Sequence, residues 1–361
     1  MERLLLATDS LEPSGVGEHM LALAEGLRDH FDIVIAAPGR ARGDLLSRAL
    51  HRGFGAAALT GDDAAFMAAQ AFEIAHIHAG IGWEGLDLVE TASRTGIGTV
   101  LRTEHLPDVI TDPAQRSAHL RALGLVTGLI CVSAAAAASF VAAGVPAAKI
   151  HVVHNGVMPE EPRRDRAEMR HGLGVAPNAP LAVTVARLTE QKNHAALLAA
   201  LPDIITAQPE FRLVLVGSGP LEDDLRAAAA PWGETVLFLG HRRDVPDLLA
   251  AADLFVLPSL FEGLPLSLIE AMAAGLPAVA SAIGGNDEVV DSGVTGILAP
   301  PGLLAAAVTE LLADRGRAAA MGRAARLRFE THFSHSRMSR DTRDVYARLR
   351  KDAGSQGRTL P

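Results

Sequence analysis

Two glutamates, Glu262 and Glu270, carry the most chemical information in this sequence. Glu262 stands in a predicted loop after an apolar strand, with Gly263 and Leu264 behind it, and Glu270 falls inside the next predicted helix. Carboxylates placed in this way can accept hydrogen bonds from two parts of a polyhydroxylated ligand. Backbone N–H groups of Gly263 and Leu264 at the helix start would suit an anion. The spacing alone is a weak signal, but within strand, loop and helix it is a strong one.

Two cations follow another predicted strand of the same half of the chain. Arg187 comes after the strand Leu181–Val185, and Lys192 stands at the start of the next helix. Two cations at a strand end suit a diphosphate. A solvated helix start is the alternative. Because the chain has only three lysines and a cation opposes the dipole at a helix N-terminus, a bound anion is favoured.

A glycine-containing turn follows the first predicted strand. It reads Ser14-Gly15-Val16-Gly17 and opens a predicted helix over Glu18–His30, which would suit a phosphate. A nicotinamide dinucleotide is disfavoured, because Met20 stands where a third glycine is expected and no acidic residue follows the second strand. A tight turn without a ligand stays open.

Three histidines stand at predicted strand ends. His76 and His78 alternate along one strand, so their imidazoles share a face. They could form half of a metal site, hydrogen-bond a sugar or the neighbouring loop, or be structural. No third ligand stands close to them in the sequence, so we expect no metal. His105 follows Thr103-Glu104 and can donate to or accept from a hydroxyl.

The elements that must position these residues are short apolar strands alternating with helices. Such alternation predicts βαβ units and a parallel sheet, and it restarts after a polar stretch, Met158–Pro180, which is the predicted linker. The fold class is therefore α/β, with two Rossmann-like doubly wound domains, residues 1–160 and 161–333, whose strand ends face an interdomain cleft. The predicted strands are Arg3–Thr8, Ile33–Ala37, Ile74–His78, Thr99–Thr103, Leu129–Val132, His151–His154, Leu181–Val185, Arg212–Val216, Val236–Leu239, Leu254–Leu257 and Ala278–Ser281.

Composition excludes several classes of protein. A net charge of −9 argues against a nucleic-acid partner, and one cysteine rules out a disulfide framework. The N-terminus lacks the pattern of a signal peptide, so a cytoplasmic location is expected. The uncharged segment Leu123–Val145 is rich in alanine, which predicts a buried strand at Gly128–Val132 and a helix from Ser133 rather than a membrane span.

Taken together, these motifs resemble the family-four retaining glycosyltransferases of the GT-B fold, the "glycosyl transferases group 1" type. The resemblance runs from Leu4 to about Phe333. It also includes Val132-Ser133, Val153-His154-Asn155-Gly156-Val157, Val216-Gly217-Ser218-Gly219-Pro220-Leu221, Gly284–Val290 and Gly293–Leu298. It implies that a C-terminal helix within residues 334–361 packs back on the N-terminal domain.

The resemblance implies roles residue by residue. Glu262 would hydrogen-bond the transferred sugar, and Glu270 would bind the ribose of the nucleotide. Arg187 and Lys192 would hold the donor diphosphate and stabilise the leaving charge, and His105 would contact donor sugar and acceptor. The remaining contacts would come from Gly15, Gly17, Gly263 and Leu264 at the phosphates or sugar, and from Gly217 and Arg242 at the base.

The implied reaction is metal-independent transfer of a sugar, with retention, from a nucleotide-diphosphate sugar. UDP-sugar is the expected donor, no cofactor is needed, and the leaving phosphate helps to deprotonate the acceptor in a front-face mechanism. The acceptor could be a small molecule, a glycan or a lipid-linked sugar. Two alternatives stay open: a sugar-nucleotide epimerase or hydrolase on the same fold, and a two-lobed nucleotide-sugar binding protein.

Two expectations concern partners. The protein is expected to be a monomer or a homodimer. A basic amphipathic patch is either a solvated helix face or a peripheral contact with an anionic membrane; it comprises Arg40, Arg42, Arg48 and Arg52 around Leu45, Leu46, Ala49 and Leu50.

Overall fold

The computed structural model of the protein describes residues 1–12, 14–39, 44–61 and 63–356. The chain divides into two compact units: Met1–Val157 with Ser334–Pro361, and Met158–Phe333. The sequence predicts the first division between residues 160 and 161, and the structure has it after Val157.

A seven-stranded parallel sheet forms the first unit, in the order β3-β2-β1-β4-β5-β6-β7. Strand order reverses between β1 and β4, which is where ligands bind in doubly wound sheets. The strands are β1 Glu2–Ala7, β2 Phe31–Pro38, β3 Gly55–Leu59, β4 Ile74–Ala79, β5 Thr99–Glu104, β6 Gly128–Cys131 and β7 Ile150–Val152.

Six helices of the first unit cover its sheet: α1 Ser14–Leu27, α2 Leu45–His51, α3 Asp63–Ala69, α4 Leu86–Arg94, α5 Pro113–Leu125 and α6 Ala134–Ala142. The Ser133 hydroxyl accepts from the Ala136 N–H at 3.1 Å and so caps α6. The predicted strand and helix within Leu123–Val145 are therefore confirmed. Among the described residues, no helix is long and apolar enough to cross a membrane.

A six-stranded parallel sheet forms the second unit, in the order β10-β9-β8-β11-β12-β13. Its strands are β8 Leu181–Val185, β9 Arg212–Val216, β10 Val236–Phe238, β11 Leu254–Leu257, β12 Ala278–Ser281 and β13 Gly296–Ala299. Its helices are α7 Arg166–Gly172, α8 His194–Ala207, α9 Glu222–Ala229, α10 Val245–Ala251, α11 Leu266–Ala273, α12 Asn286–Val289, α13 Leu304–Ala313 and α14 Arg315–His332.

The structure corrects three predictions. Strands β3 and β13 were not predicted, because the alanine-rich run of β3 and the short run of β13 lack a strong β-branched signal. Helix α7 lies inside the predicted linker, where the Asp165 side chain caps it by accepting from the Glu168 N–H at 2.8 Å. Helix α1 begins at Ser14 rather than Glu18, so the predicted turn is its first turn.

The last helix, α15 His335–Gln356, returns the chain to the first unit. The sequence predicts this polar helix over Ser334–Arg350. It buries Met338, Tyr346 and Leu349 in the core that surrounds α1. A Cβ at Gly26 of α1 would lie 2.1 Å from Ser339 Oγ, so α15 approaches α1 at a glycine. The Gly-, Ser- and Arg-containing composition of residues 352–361 predicts a disordered tail. The structure is instead helical to Gln356, and residues 357–361 lie outside the described residues.

Gly26→Ala tests this docking. We expect it to lower the free energy of unfolding by about 1–3 kcal/mol, because the methyl group would collide with Ser339. Gly124→Ala in α5 is the control: its Cβ would meet nothing within 4 Å, and we expect no loss or a gain of up to about 1 kcal/mol. Urea unfolding of both variants measures the difference, and equal effects would show that α15 does not depend on this contact.

Candidate functional site

The loops that follow β8 and β11 are joined at the carboxyl edge of the second sheet. The Leu260 N–H donates to the Gln191 carbonyl at 2.8 Å, and the Gln191 side-chain amide donates to the Phe261 carbonyl at 3.0 Å. Asn193, left-handed with φ 51°, donates from its side chain to the Pro258 carbonyl at 3.2 Å. Since β8 and β11 are neighbours in the sheet, these bonds fix the loops against each other.

Lys192 and Glu262 form an ion pair between these two loops. Lys192 Nζ lies 2.5 Å from Glu262 Oε1, and the side chains are 16% and 4% exposed. The Ser259 hydroxyl donates to the same oxygen at 2.7 Å. Removing one partner of a buried pair leaves the other charge uncompensated, so each side chain holds the other in place. The structure thus brings together two residues that the sequence predicts as catalytic.

Arg187, on the same loop as Lys192, is exposed. Within the described part of the chain, its guanidinium has no hydrogen bond or ion pair. His194 begins α8 beside Lys192, and burial followed by the charge of Lys192 lowers the pKa of His194 to about 4. This imidazole is therefore neutral at neutral pH. Arg187 offers a cation that no described carboxylate neutralises.

Gly217, which is expected to contact the nucleotide base, lies in the loop after β9 and touches the loops after β8 and β10. Its φ is +133°, and a Cβ there would lie 2.0 Å from the Ala186 carbonyl oxygen. Its N–H donates to the Gly240 carbonyl at 2.8 Å. A side chain at residue 217 would therefore collide with the backbone of the loop that carries Arg187.

Arg242 is held by a carboxylate of its own loop. Its Nε and Nη2 donate to the two Asp244 oxygens at 2.7 and 2.6 Å. The hydrogen bond with Arg242 lowers the pKa of Asp244 to about 2. Because the edge of the guanidinium is engaged, its flat face is what it can offer to a base.

Helix α11 carries the other predicted residues of this unit. Gly263 and Leu264 are buried in the loop that precedes it, and Glu270 lies half-buried in its second turn. Pro265, at the N-cap, supplies no side-chain hydrogen bond to the first turn. The helix N-terminus is thus a place where an anion is stabilised.

Gly285 holds the Glu262 loop from the side of β12. Its φ is +88°, and a Cβ there would lie 2.3 Å from the Gly263 carbonyl oxygen and 3.0 Å from that of Glu262. The close approach of two backbones therefore requires glycine at residue 285.

In the first unit, Gly15 and Gly17 lie in the first turn of α1 instead of a separate turn. The first four N–H groups of a helix have no partner within it. The predicted phosphate contact therefore moves from a turn to the helix N-terminus itself, and it remains a prediction.

His105 belongs to a cluster of four histidines at the carboxyl edge of the first sheet, which we call the histidine cluster: His19, His76, His78 and His105. The rings of His76 and His78 lie 4.1 Å apart between centroids, which confirms that they share a face. His105 Nε2 lies 3.5 Å from His78 Nδ1, and the ring of His19 contacts both. Sequence reasoning considered histidines at strand ends and therefore missed His19, which lies on helix α1.

Burial keeps the histidine cluster neutral. It lowers the pKa of His19 to about 4 and that of His76 to about 3, where the charge of His19 adds to the effect. Burial is also the main reason why the pKa values of His78 and His105 lie well below the usual range. The charges of His76 and His19 add to the effect on both. Neutral imidazoles can both donate and accept hydrogen bonds.

A metal ligand set is also present among these residues. His19, His78 and His105 each offer one nitrogen, and the three atoms lie within 4.8 Å of one another. The set contains His78 of the predicted pair but not His76, and its other two members, His19 and His105, are not neighbours of His78 in the sequence. Neutral imidazoles suit zinc-like ions rather than Mg²⁺. The absence of a metal in the reaction remains a prediction.

A buried arginine organises the loop that follows β4. Arg102 is fully buried and donates to the Gly82 and Glu84 carbonyls at 3.0 and 2.6 Å and to the Glu104 carboxylate at 2.6 Å. Burial alone would raise the pKa of Glu104, but the charge of Arg102 and the hydrogen bond from His119 lower it. The loop beside His105 is therefore rigidly held.

Two family models match the chain. The model described as "Glycosyltransferase Family 4" matches residues 13–161, and the model described as "Glycosyl transferases group 1" matches residues 165–328. Each model thus falls within one of the two units except at the border between them.

Two relatives and one solved structure illustrate the similarity. One relative is a GDP-mannose-dependent monoacylated alpha-(1-6)-phosphatidylinositol monomannoside mannosyltransferase of Corynebacterium glutamicum. The two sequences are 35% identical over a match that covers 47% of this chain and about half (48%) of that relative. The GDP-mannose-dependent alpha-(1-6)-phosphatidylinositol monomannoside mannosyltransferase of Mycobacterium tuberculosis is 34% identical over 66% of this chain and 67% of its own length. HepE of Anabaena, solved with UDP-glucose, superposes with a TM-score of 0.81 at 23% identity, over 96% of this chain and 100% of that one.

Gly285→Ala tests whether the loop of Glu262 depends on this backbone contact. We expect it to lower the melting temperature and to weaken ligand binding at the loop, because the methyl group would strike the Gly263 carbonyl. Gly293→Ala is a matched control, since Gly293 has the same φ of +88° but its Cβ would meet nothing within 4 Å. Both variants carry the strain of a side chain at positive φ, and only Gly285→Ala adds a collision with a neighbouring backbone. Equal melting temperatures for the two variants would contradict the prediction.

Acidification tests the neutral state of the histidine cluster. The folded pKa values of His19 and His76 lie below the unfolded value of 6.5, so the unfolded chain takes up protons that the folded chain excludes. Stability is complete above pH 6.5 and falls as the pH drops towards 4, by about 2 kcal/mol for His19 at pH 5. His19→Asn should flatten the dependence of unfolding free energy on pH, and the exposed His51→Asn should not. An unchanged slope in His19→Asn would count against a neutral, buried His19.

Proposed function

This chain belongs to the family-four glycosyltransferases, and on that basis we propose that it transfers a sugar from a nucleoside diphosphate to an acceptor hydroxyl. The matches confirm the family resemblance drawn from the sequence. Donor, acceptor and stereochemistry are proposals.

The pairing of Lys192 with Glu262 is the observation that carries the proposal. A donor has an anionic diphosphate beside a neutral, hydroxyl-rich sugar, and this pair presents a cation and a hydrogen-bond acceptor 2.5 Å apart. Lys192 and the exposed Arg187 would bind the phosphates. Glu262 would then accept a hydrogen bond from a hydroxyl of the sugar.

The chemistry proposed is cleavage of the bond between the anomeric carbon and the diphosphate oxygen. The bonding electrons leave with that oxygen, where Arg187, Lys192 and the N–H groups at the start of α11 stabilise them. The acceptor oxygen bonds to the anomeric carbon on the same face, and its proton passes to the leaving phosphate. Configuration is retained, and cations of the protein take the role that a divalent metal would have.

The nucleotide would lie along the loops after β9 and β10. Gly217 allows close approach of the backbone, the face of Arg242 would stack on the base, and Glu270 would accept from the ribose hydroxyls. We propose UDP as the nucleotide, supported by the UDP-glucose complex of HepE. GDP-mannose is the second candidate, because the Mycobacterium tuberculosis relative is named as dependent on it.

His105, with the neutral histidine cluster, would contact the donor sugar and acceptor. We place the reaction in the cytoplasm, where the single cysteine, Cys131, would stay a buried free thiol. In the basic patch, Arg48 pairs with Glu18 and Asp44, and Arg40 and Arg42 lie outside the described residues. Membrane contact stays a prediction.

Nucleotide binding tests the assignment of the second unit. UDP should raise the melting temperature of the protein, and Lys192→Ala and Glu270→Ala should abolish the rise, because they remove the phosphate and ribose contacts. GDP is measured in parallel. Arg317→Ala is the control, since Arg317 pairs with Glu310 on neighbouring helices and should leave the shift intact. A shift that survives in Lys192→Ala would contradict the assignment.

Acceptor-dependent release of the nucleoside diphosphate separates the three classes of function. Transfer predicts release that depends on an acceptor hydroxyl, whereas a hydrolase releases it without acceptor, an epimerase alters the sugar, and a binding protein does neither. Transfer should persist in EDTA. A donor that stays bound but intact across a broad acceptor panel would overturn the proposal.

A further inference from the structure

Tyr346, the single tyrosine of the chain, lies on the returning helix α15 and is 1% exposed. Its ring packs edge to face on Phe31 at 5.8 Å and belongs to the core of the first unit. A phenylalanine would fill the same space. The hydroxyl therefore needs its own explanation, because a buried hydroxyl is costly unless it is hydrogen-bonded.

The Tyr346 hydroxyl is bonded to the histidine cluster. It lies 2.7 Å from His76 Nδ1, and the other ring nitrogen, His76 Nε2, lies 2.6 Å from Thr103 Oγ1. Since His76 is a neutral imidazole, one of its nitrogens donates and the other accepts. The hydroxyls of Tyr346 and Thr103 can each donate or accept, so each can complement the ring nitrogen that it faces. The His76 ring can then neither flip nor tilt without breaking one of these hydrogen bonds.

His76 in turn contacts two residues that lie next to His105, namely Thr103 and His78. Thr103 stands two positions before His105 on the same strand end, and the ring of His78 lies against His76 at 4.1 Å. His78 Nδ1 then lies 3.5 Å from His105 Nε2. A fixed His76 thereby limits where His78 and His105 can be.

We propose that Tyr346 is a positioning residue for the transfer reaction, and that its hydroxyl acts through His76 to fix His105. The inference rests on the proposed function for the role of His105, but the hydrogen-bond relay itself does not. The first unit is built from residues 1–157 and from the C-terminal segment that starts at Ser334. The relay from Tyr346 therefore links the C-terminal helix to the histidine cluster.

Tyr346→Phe removes one oxygen and leaves His76 Nδ1 without its partner. Val345→Ala is the matched control, because Val345 is buried on the same helix and carries no polar group. We expect Tyr346→Phe to lower kcat about 10-fold or more beyond the control, with little change in the KM for the donor, since misplaced catalytic groups slow the reaction rather than weaken binding. Equal kcat values in the two variants would overturn the proposal.

The imidazole nitrogens give a readout that loss of packing alone does not move. In ¹⁵N spectra of the ligand-free protein, we expect the His76 Nδ1 signal to shift in Tyr346→Phe, where this nitrogen loses its hydrogen bond, and to keep its wild-type position in Val345→Ala. The His105 signals should shift in Tyr346→Phe as well. Unchanged His76 and His105 signals in Tyr346→Phe would overturn the relay.

The single tyrosine also provides a rescue. Growth with 3-fluorotyrosine replaces residue 346 alone and keeps its hydroxyl, so kcat and the His76 Nδ1 signal should stay close to wild type. Changes in both as large as those in Tyr346→Phe would contradict the proposal. Failure of the proposed function would look different: the wild type would transfer no sugar, while the ligand-free spectra would still decide whether Tyr346 positions His105.

Discussion

A lysine and a glutamate with little access to water must neutralise each other before any ligand arrives. With 16% and 4% of their side chains exposed, Lys192 and Glu262 are drawn together more strongly than a surface pair would be. Because the loss of one partner leaves the other charge uncompensated, a ligand that satisfies both side chains at once should bind more tightly than one that takes Lys192 alone. A diphosphate sugar can do so, because its anionic part takes the lysine and a sugar hydroxyl takes the glutamate. The Gln191, Asn193 and Gly285 contacts keep the two loops in the register that this exchange needs.

The first unit differs from the second in that its clustered titratable groups are uncharged. Four imidazoles at the carboxyl edge are neutral because burial opposes their protonation. In a protein of net charge −9, the positive potential of the second unit is local and comes from Arg187, Lys192 and helix N-termini. Under the proposed function, the second unit would bind the charge of the leaving group, and the neutral imidazoles of the first unit would offer hydrogen bonds to hydroxyls.

The sequence predicts much of this arrangement, and the misses have physical causes. Strand-helix alternation predicts both sheets, and Lys192 and Glu262 are found because each follows an apolar strand. Three residues that support the site come from other elements of the chain: His19 from α1, Tyr346 from α15 and Gly285 from the loop after β12. Only the packing of distant elements brings them in. The glycine pair Gly284-Gly285 and the lone tyrosine are signals in the sequence, but their contacts cannot be read from it.

The exchange at Lys192 and Glu262 is tested most directly by calorimetric titration of Glu262→Gln with UDP and with the intact nucleotide sugar. Removing the charge of residue 262 frees Lys192 for phosphate but weakens the acceptor for the sugar hydroxyl. We expect UDP to bind Glu262→Gln at least as tightly as the wild type, and the nucleotide sugar to lose its added affinity over UDP. Equal weakening of both ligands would contradict the claim, because Glu262 would then only support the loop.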